Sequence, residues 1–425
     1  MERLIIERSG PLRGTVTLNG AKNAVLPVMA ACLLTDEESV IERVPRVTDV
    51  LTMAQILRGL GVAVRAQGDR LTITPGRYAG FLAPYELVSS MRASVCVLGP
   101  LLAKQGRATV AMPGGCIIGA RPIDLHLKGL TALGATFAVE QGYMVASRTR
   151  WRGATIRLGG AHGSSVLATA NVMMAASLAD GMTVIEHAAC EPEVVDLANC
   201  LMAMGAQIDG QGGPVIRIRG VPRLHGVSYR IIPDRVEAGT LMMAAAISGG
   251  ELLIEDARPE HLGAVIDKLS EANVHIERLN GALRVQAQEP IRAVDVTALP
   301  FPGFPTDLQA PMTALMSIAQ GVSVITEKVY PERFMHLPEL NRMGANIIRA
   351  GASAIVKGVE RLSGAPVIGS DLRASAALVV AGLAAEPRTE LEGLEHLDRG
   401  YQDLEQQLVG AGAKIHRVSS VKAEG

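Results

Sequence analysis

A short phrase built around a glycine recurs six times along the chain. In its first copy it reads Leu60-Gly61-Val62-Ala63-Val64. Its central positions are Gly61, Gly134, Gly205, Asn273, Gly344 and Gly412, at steps of 73, 71, 68, 71 and 68 residues. A second phrase, of the type Val40-Ile41-Glu42, lies upstream of most of them. Self-similarity of this length predicts six like units, each a supersecondary structure that packs against its neighbours.

Each unit shows the same order of hydrophobic patterns. In the short strands apolar and polar residues alternate, as from Val215 to Ile218. The first helix of a unit is instead apolar nearly all round, as from Ala374 to Ala385. Alternating strands have one solvated face, and a helix that is apolar on every side is buried. The chain is therefore predicted to be an α/β protein of six βαβαβ-like units, with helices inside and sheets outside. Three units would close around one helical core in each of two domains.

The phase of the repeat also predicts the domain boundaries, near residues 20 to 22 and 230 to 234. We expect a first domain at 22-232. The second would combine 1-21 with 233-425, so that the N-terminal strand completes the C-terminal domain.

Composition excludes several classes of protein. The 41 Lys and Arg residues balance 42 Asp and Glu residues, which argues against nucleic acid as a partner. The longest apolar stretches, such as Val166 to Ala179, are shorter than the roughly 18 to 20 residues that a membrane-spanning helix needs. Five cysteines and nine histidines show no metal-binding spacing. We expect a cytoplasmic protein with reduced thiols and neither metal nor cofactor.

Polar residues stand where the first helix of each unit begins. They are Lys22 with Asn23, Arg92, Ser164 with Ser165, Glu237, Thr306 with Asp307, and Arg373. A helix start carries free N–H groups and the positive end of the helix dipole, so a cation there is unfavourable unless an anion lies opposite. Lys22, Arg92 and Arg373 together therefore indicate an anion site. Each of them alone is better explained as a solvated side chain at a helix end.

One unit carries an insertion between its second phrase and its glycine. The inserted segment, Met112 to Leu125, contains three glycines and two prolines around Cys116. Such composition is typical of an exposed loop, and the nearby Arg121 can lower the pKa of a thiol. Cys116 is thus a candidate nucleophile or proton donor, whereas Cys32, Cys96, Cys190 and Cys200 are expected to be buried and inert.

Three further polar residues fall in phrases unlike the repeat. Asp307 follows Phe304-Pro305-Thr306 at a helix start, where it is either a functional carboxylate or an N-cap that Asn could replace with little loss of stability. Arg333 and Arg399 lie at corresponding places in two units, and either could be a surface residue. Counted with the residues above, they suit a polyanionic substrate with a proton donor and a proton acceptor.

These phrases together resemble the UDP-N-acetylglucosamine 1-carboxyvinyltransferases, a family of enolpyruvyl transferases. The similar stretches are Asn19 to Ala24, Met91 to Ser94, Pro113 to Leu125, Pro233 to Arg235, Phe304 to Asp307, Arg333 to His336 and Asp371 to Ser375. The resemblance implies a two-domain inside-out α/β barrel with the active site in the cleft between the domains. It also implies transfer of the enolpyruvyl group of phosphoenolpyruvate to the 3′-hydroxyl of UDP-N-acetylglucosamine, with release of phosphate.

The resemblance implies roles for individual residues. Cys116 would protonate the methylene carbon of phosphoenolpyruvate, Asp307 would act as the base near the sugar hydroxyl, and Lys22 would complete the catalytic set. The implied substrate contacts are Lys22, Arg121 and Arg399 for the phosphate, Arg333 and Arg373 for the carboxylate, Asn23 and Arg92 lining the site, and Arg121, Pro122, Ile123, Asp124, Leu125 and Val329 for the nucleotide. Gly163, Ser164, Ser165 and Val166 stand where the family has a Lys-containing phrase, and a helix start with two serines can still bind phosphate.

Other functions stay open at this point. An enolpyruvyl transferase could use another acceptor, such as shikimate 3-phosphate or the nucleotide of a secondary pathway. The Lys-Ser and Asn-Ala-Gly-Thr phrases of the shikimate enzymes are absent from this sequence. A sixfold ring that clamps DNA would also fit the repeat, although balanced charge argues against it.

Overall fold

The structure is a computed structural model that describes residues 2–76, 82–83, 91–111, 123–161 and 163–419, with only the backbone at 82, 83 and 92. The chain divides into two compact units. Among the described residues, the inserted unit consists of residues 20–232, and the split unit combines residues 2–19 with 233–419. Each unit has its own cluster of buried apolar side chains.

The inserted unit contains three four-stranded sheets among its described residues, all built to one plan. In each, the first two strands pair in parallel and the other pairs are antiparallel. In spatial order the strands are Ser228–Arg230, Ser39–Glu42, Arg70–Thr74 and Ala63–Gln67; Leu82–Ala83, Arg107–Ala111, Tyr143–Arg148 and Ala135–Glu140; Thr155–Arg157, Met182–Glu186, Val215–Arg219 and Gln207–Asp209. A small hairpin pairs Gly159–Gly160 with Gly163–Ser164.

The split unit repeats the same plan three times in its described part. Its sheets are Arg13–Thr17, Glu251–Glu255, Ala282–Ala287 and Val274–Leu279; Val296–Ala298, Val322–Glu327, Ser353–Lys357 and Asn346–Ala350; Pro366–Ile368, Arg388–Glu392, Glu2–Glu7 and Lys414–Ser419. Leu362–Ser363 and Ala385–Glu386 form a two-stranded pair. The N-terminal strand therefore lies between two strands from the end of the chain.

The helices fall into central and outer sets. The central helices are Lys22–Ala31, Leu98–Gln105 and Val166–Ala176 in the inserted unit, and Arg235–Ile247, Gln309–Met316 and Leu372–Gly382 in the split unit. The outer helices are Thr48–Gly59, Asp124–Ala132, Pro192–Ala203, Gly263–Glu271, Leu337–Arg342, Leu394–Leu397 and Leu404–Gly410. Short 3₁₀ turns occur at Cys32–Leu34, Arg92–Val97, Pro259–His261 and Thr306–Leu308.

Small residues allow the central helices to pack closely. Every residue from Val236 to Ile247 is buried, and so is every residue from Gln309 to Met316. A Cβ atom on Gly239 would lie only 2.2 Å from Leu308 Cδ1, and one on Gly99 would lie 2.4 Å from the carbonyl oxygen of Asn171. Glycine is therefore needed where these central elements meet.

The strands show the opposite burial pattern. In Val215–Arg219, Ile216 and Ile218 are buried, while Arg217 and Arg219 are exposed. The predicted fold class, a two-domain α/β protein with helices inside and sheets outside, is confirmed. The described strands form separate sheets, none of which closes on itself. In the described part of the chain, no helix combines the length and apolar character needed to cross a bilayer.

Candidate active site

Three charged side chains that the sequence singled out meet in the split unit. Asp307 accepts a hydrogen bond from Arg333 Nη1 at 2.7 Å through one carboxylate oxygen, and from Arg373 Nη2 at 2.8 Å through the other. Both arginine side chains are nearly completely buried, at 6% and 3% exposure, and that of Asp307 is 24% exposed. The two oxygens of Asp307 thus bridge two buried cations.

Local structure explains how these side chains converge. Asp307 lies in the Thr306–Leu308 turn that leads into a central helix. Arg373 lies in the first turn of the next central helix, whose N-cap is Asp371, and Asp371 Oδ1 accepts from the backbone N–H of Arg373 at 2.9 Å. The N-cap residues of this turn and of the helix that follows are Pro305 and Leu308, neither element has a side-chain cap hydrogen bond, and the carboxylate of Asp307 is engaged with the two arginines. The N-cap interpretation of Asp307 is therefore wrong.

Charge pairing sets the protonation state of this group. Burial alone would raise the pKa of the Asp307 carboxyl, but the charges of Arg373 and Arg333 hold it well below its usual value. Burial would lower the pKa of Arg373, and the Asp307 charge more than offsets it, so the pKa of Arg373 is raised. The group is consequently fully ionised at neutral pH.

Aromatic and neutral side chains surround the two arginines. The Arg333 guanidinium lies 5.8 Å from the ring centre of Tyr330, and that of Arg373 lies 5.3 Å from the ring centre of Tyr401. Burial lowers the pKa of His336 to about 4, so this histidine is neutral at pH 7. The half-buried Arg399 precedes Gly400, where a Cβ atom would lie 2.6 Å from Leu372 Cδ2. The segment that carries Arg399 thus packs beside the helix of Arg373.

In the inserted unit, Lys22 lies at the start of a central helix as expected. Its Nζ atom is 3.0 Å from Oδ2 of the buried Asp49. Asn23 follows in the same helical turn and is half-buried. In this structure, carboxylates of the chain itself therefore lie opposite both Lys22 and Arg373.

The structure brings together two of the stretches expected to bind the nucleotide. Leu125, in the first turn of the Asp124–Ala132 helix, packs on the glycine hairpin, because a Cβ atom on Gly160 would lie 3.3 Å from Leu125 Cδ1. Gly163 and Ser164 form the second strand of that hairpin. Ser165 caps the next helix, which begins at Val166, by accepting from the N–H of Ala168 at 3.3 Å.

The other expected site residues are placed as follows. Ile123 is buried beside the exposed Asp124, and Val329 is half-buried, with its N–H 2.7 Å from Glu327 Oε1. Arg92 opens the Arg92–Val97 turn. Cys116, Arg121, Pro122 and the side chain of Arg92 lie outside the described residues. Their predicted roles stay predictions.

The remaining cysteines largely match their expected environment. Cys32, Cys96 and Cys200 are buried, and burial raises the pKa of Cys32 and of Cys96 to about 12. Cys190 is half-buried rather than buried, with its pKa raised by burial. Within the described part of the chain, no group of three or more His, Cys, Asp or Glu side chains is arranged to hold a metal ion.

Known proteins match this sequence over nearly its whole length. The family model of EPSP synthase (3-phosphoshikimate 1-carboxyvinyltransferase) matches residues 6–408. The chain is 50% identical over 420 residues to the UDP-N-acetylglucosamine 1-carboxyvinyltransferase of Methylacidiphilum infernorum (isolate V4), covering 99% of this chain and 100% of that one. It is 51% identical over 422 residues to the protein of the same name from Granulibacter bethesdensis, with coverage of 99% and 100%. The chain belongs to the EPSP synthase family.

Solved structures of the EPSP synthase family share this fold. The enolpyruvyl transferase NikO from Streptomyces tendae superposes with a TM-score of 0.89 at 25% identity, covering 99% of each chain. EPSP synthase from Acinetobacter baumannii gives a TM-score of 0.75 at 17% identity, covering 99% of this chain and 100% of that one, which bears on the fold alone. The resemblance seen in the sequence is confirmed.

Sequence reasoning missed two buried carboxylates in this family member. The sequence indicates Glu237 only as a polar residue at a helix start. It is buried, and it accepts from the backbone N–H of Asn19 at 2.8 Å, from Asn19 Nδ2 at 2.7 Å and from Gln407 Nε2 at 3.1 Å. Burial and the nearby Asp234 raise its pKa to about 7. Its partners are 218 and 170 residues away along the chain, so local pattern could not reveal them.

Glu327 is the second such carboxylate, and the sequence does hold a signal for it. The glutamate of the repeated Ile-Glu phrase is exposed at Glu186 and Glu255. In the fifth unit that position holds Thr326, and the glutamate comes one residue later at Glu327, which is completely buried. Successive strand residues point to opposite faces, so a shift by one residue turns the carboxylate inward.

Proposed function

We propose that the chain transfers the enolpyruvyl group of phosphoenolpyruvate to the 3′-hydroxyl of UDP-N-acetylglucosamine and releases phosphate. The observation that carries this proposal is the pair of buried arginines that converges on Asp307. A site for a small trianionic donor needs cations held without water, and these arginines meet that need. The acceptor is supported by the names of relatives that are 50% and 51% identical over nearly the full chain.

The charges around Asp307 suggest how donor binding and base strength are linked. While Arg333 and Arg373 hold its carboxylate, Asp307 is a weak base, since its pKa lies well below the usual value. An anionic group of the donor that pairs with the arginines would compete for their charge and release Asp307. The pKa of Asp307 would then rise toward that of an ordinary carboxyl, and it could accept the proton of the sugar hydroxyl.

The remaining roles follow the family resemblance. Asp307 takes the hydroxyl proton as the sugar oxygen bonds to C2 of phosphoenolpyruvate, and Cys116 gives a proton to C3. The Cys116 thiolate left by this step then takes a proton back from C3, the bond between C2 and the phosphate oxygen breaks, and the double bond is restored as phosphate leaves. Lys22, Arg121 and Arg399 hold the phosphate, and Arg333 and Arg373 hold the carboxylate. Asn23 and Arg92 line the site, and Val329 with the 121–125 and 163–166 stretches contacts the nucleotide.

This reaction would be the first committed step of peptidoglycan synthesis, and through it the chain would serve cell wall biogenesis, cell shape and cell division. We propose a cytoplasmic location because the five cysteines suggest a reducing compartment. The implied partners are the two small-molecule substrates, with neither nucleic acid nor membrane.

The test is phosphate release by the purified chain with phosphoenolpyruvate and either UDP-N-acetylglucosamine or shikimate 3-phosphate. We expect release only with the nucleotide sugar. Release with shikimate 3-phosphate alone would assign the acceptor to the other branch of the family. Phosphate release with neither acceptor would contradict the proposed acceptor and favour an enolpyruvyl transferase that acts on another nucleotide.

A second experiment addresses Cys116 itself. Fosfomycin, whose phosphonate suits a phosphate site, should alkylate Cys116 first among the five thiols, and faster when UDP-N-acetylglucosamine is present. Intact-mass spectrometry followed by peptide mapping measures both. Cys32 and Cys96 serve as internal controls, because their buried thiols carry a pKa of about 12. Labelling spread over several cysteines, or a rate indifferent to the nucleotide sugar, would contradict the assignment.

A further inference from the structure

Glu327 is a buried carboxylate for which the proposed reaction has no direct use. It ends the Val322–Glu327 strand and has no exposed surface. The displaced glutamate of the fifth repeat turns into the protein beside the residues that bind the arginines. Burying an ionisable group costs free energy, so a fold keeps one only where its bonds are worth that cost.

Its hydrogen bonds reach the turn at Thr306 and the loop that directly follows its own strand. One oxygen accepts from the Thr306 hydroxyl at 2.7 Å, and the other accepts from the backbone N–H groups of Val329 and Tyr330 at 2.7 and 2.9 Å. All three donors are neutral. The carboxylate thereby ties the end of its strand to the turn that carries Asp307 and to the loop that leads to Arg333.

The bond to Thr306 fixes the direction of its hydroxyl. A threonine hydroxyl has one proton. Thr306 donates this proton in its hydrogen bond to Glu327, so the lone pairs of its oxygen point away from Glu327. Arg333 Nη1 donates to this oxygen at 3.1 Å while it donates to Asp307 at 2.7 Å. The Thr306 oxygen is therefore oriented to accept a hydrogen bond from Arg333.

Glu327 also fixes a second neighbour of Arg333. It holds the backbone of Tyr330, whose ring lies 5.8 Å from the Arg333 guanidinium. Among the described residues, Nε of Arg333 is buried and has no hydrogen-bond partner. Nη1 of Arg333 is thus held in place, while its Nε–H has no hydrogen-bond partner among the described residues.

We propose that Glu327 is a positioning residue that aims Arg333 at the anionic donor through Thr306 and Tyr330. It touches no substrate itself. The inference rests on the proposed function for its kinetic test, because the donor is the ligand that Arg333 is assigned to bind.

The decisive variants are Glu327→Gln and Thr306→Val. A glutamine side chain has one acceptor oxygen, so either the Thr306 hydroxyl or the two backbone N–H groups lose their acceptor. We expect each variant to raise the KM for phosphoenolpyruvate at least about tenfold and the KM for the nucleotide sugar less than about threefold. The double variant should have about the same KM for phosphoenolpyruvate as either single variant, because both changes remove the same hydrogen-bonded connection between Glu327 and Arg333.

Thr326→Val is the matched control, because Thr326 is the neighbouring residue and its hydroxyl pairs with Ser353 at 2.9 Å. Its kinetic constants should match those of the unmodified chain. If Glu327→Gln leaves the KM for phosphoenolpyruvate unchanged, or changes both KM values equally, the proposal is overturned. If that variant does not fold, Thr306→Val decides alone.

A measurement without substrate separates this inference from the proposed function. With ¹⁵N-labelled arginine, the Nε–H resonance of Arg333, assigned by its loss in Arg333→Lys, should shift in Glu327→Gln and in Thr306→Val but not in Thr326→Val. An unmoved resonance overturns the positioning role even if the enzyme is active. A chain that releases no phosphate but shows the shift would contradict only the proposed reaction.

Discussion

Single carboxylates control the charges of the candidate site. Asp307 balances two buried arginines, and Glu327 orients one of them. Asp307 could be singled out from the sequence because it stands in a phrase unlike the repeat, whereas Glu327 shows itself only when the fifth repeat is compared with the others. The pairing of Asp307 with Arg373 could not be predicted, since the two residues are 66 residues apart and meet only when the fifth and sixth repeats have packed together.

Replacing Asp307 by Asn should affect both activity and stability. The change removes the base and leaves two buried guanidinium groups without their counter-charge. We expect turnover to fall about 100-fold or more and the free energy of unfolding to fall by about 2–4 kcal/mol. Phosphate-release assays and urea denaturation measure the two effects. Asp295→Asn is the control, because the exposed Asp295 accepts from one backbone N–H at 2.7 Å and Asn can do the same. A stable, inactive Asp307→Asn protein would contradict the structural half of this prediction.

The buried Glu237 should make stability depend on pH. Its pKa of about 7 in the folded chain exceeds the 4.5 of an ordinary glutamate, so the folded state binds the proton more tightly. Its contribution to stability is therefore fully present below about pH 4.5 and is lost as pH rises to about 7. Urea denaturation from pH 5 to 8 should show the unmodified chain losing about 2–3 kcal/mol relative to Glu237→Gln. Parallel stability curves for the two proteins would disprove the shifted pKa.

At the scale of elements, the sequence predicted the plan of the repeat well. Alternating strands and all-round apolar helices leave clear periodic signals, and the six helix starts share one repeat phase. Which strand pairs with which could not be predicted in the same way. The strand Ser228–Arg230, for example, pairs with Ser39–Glu42 near the start of the same unit, and local periodicity carries no information on that partner.

Close packing of the central helices gives a prediction for Gly239. A methyl group there would lie 2.2 Å from Leu308 Cδ1, and Leu308 is completely buried and follows Asp307 in sequence. Gly239→Ala should therefore lower the free energy of unfolding by about 1–3 kcal/mol and lower turnover as well. Gly263→Ala is the matched control, since a Cβ atom at Gly263 would have no neighbour within 4 Å. Equal thermal midpoints for the two variants would refute the packing argument.

At the scale of the whole molecule, the two units have separate apolar cores. Trp151 is the one tryptophan of the chain, and its buried indole donates to the carbonyl of Ala175 at 3.0 Å within the inserted unit. Its fluorescence therefore reports on that unit, whereas circular dichroism reports on both.

The two signals should separate in Gly239→Ala, which weakens the split unit alone. We expect the part of the circular dichroism change that comes from the split unit to move to lower urea concentration, while the fluorescence transition stays where it is in the unmodified chain. Transitions that move together would mean that the two cores unfold as one cooperative body.

The strand Glu2–Glu7, held between Arg388–Glu392 and Lys414–Ser419, has a consequence for synthesis on the ribosome. This strand leaves the exit tunnel long before its two partners and gains the second of them only when Lys414–Ser419 has been translated. At about 5–20 residues per second, translating residues 233 to 419 takes about 10–40 s, during which the inserted unit can already fold. The nascent chain then carries the strand Glu2–Glu7, with its buried Leu4, Ile5 and Ile6, with both edges unpaired, and such a strand is a natural target for chaperones that bind extended segments.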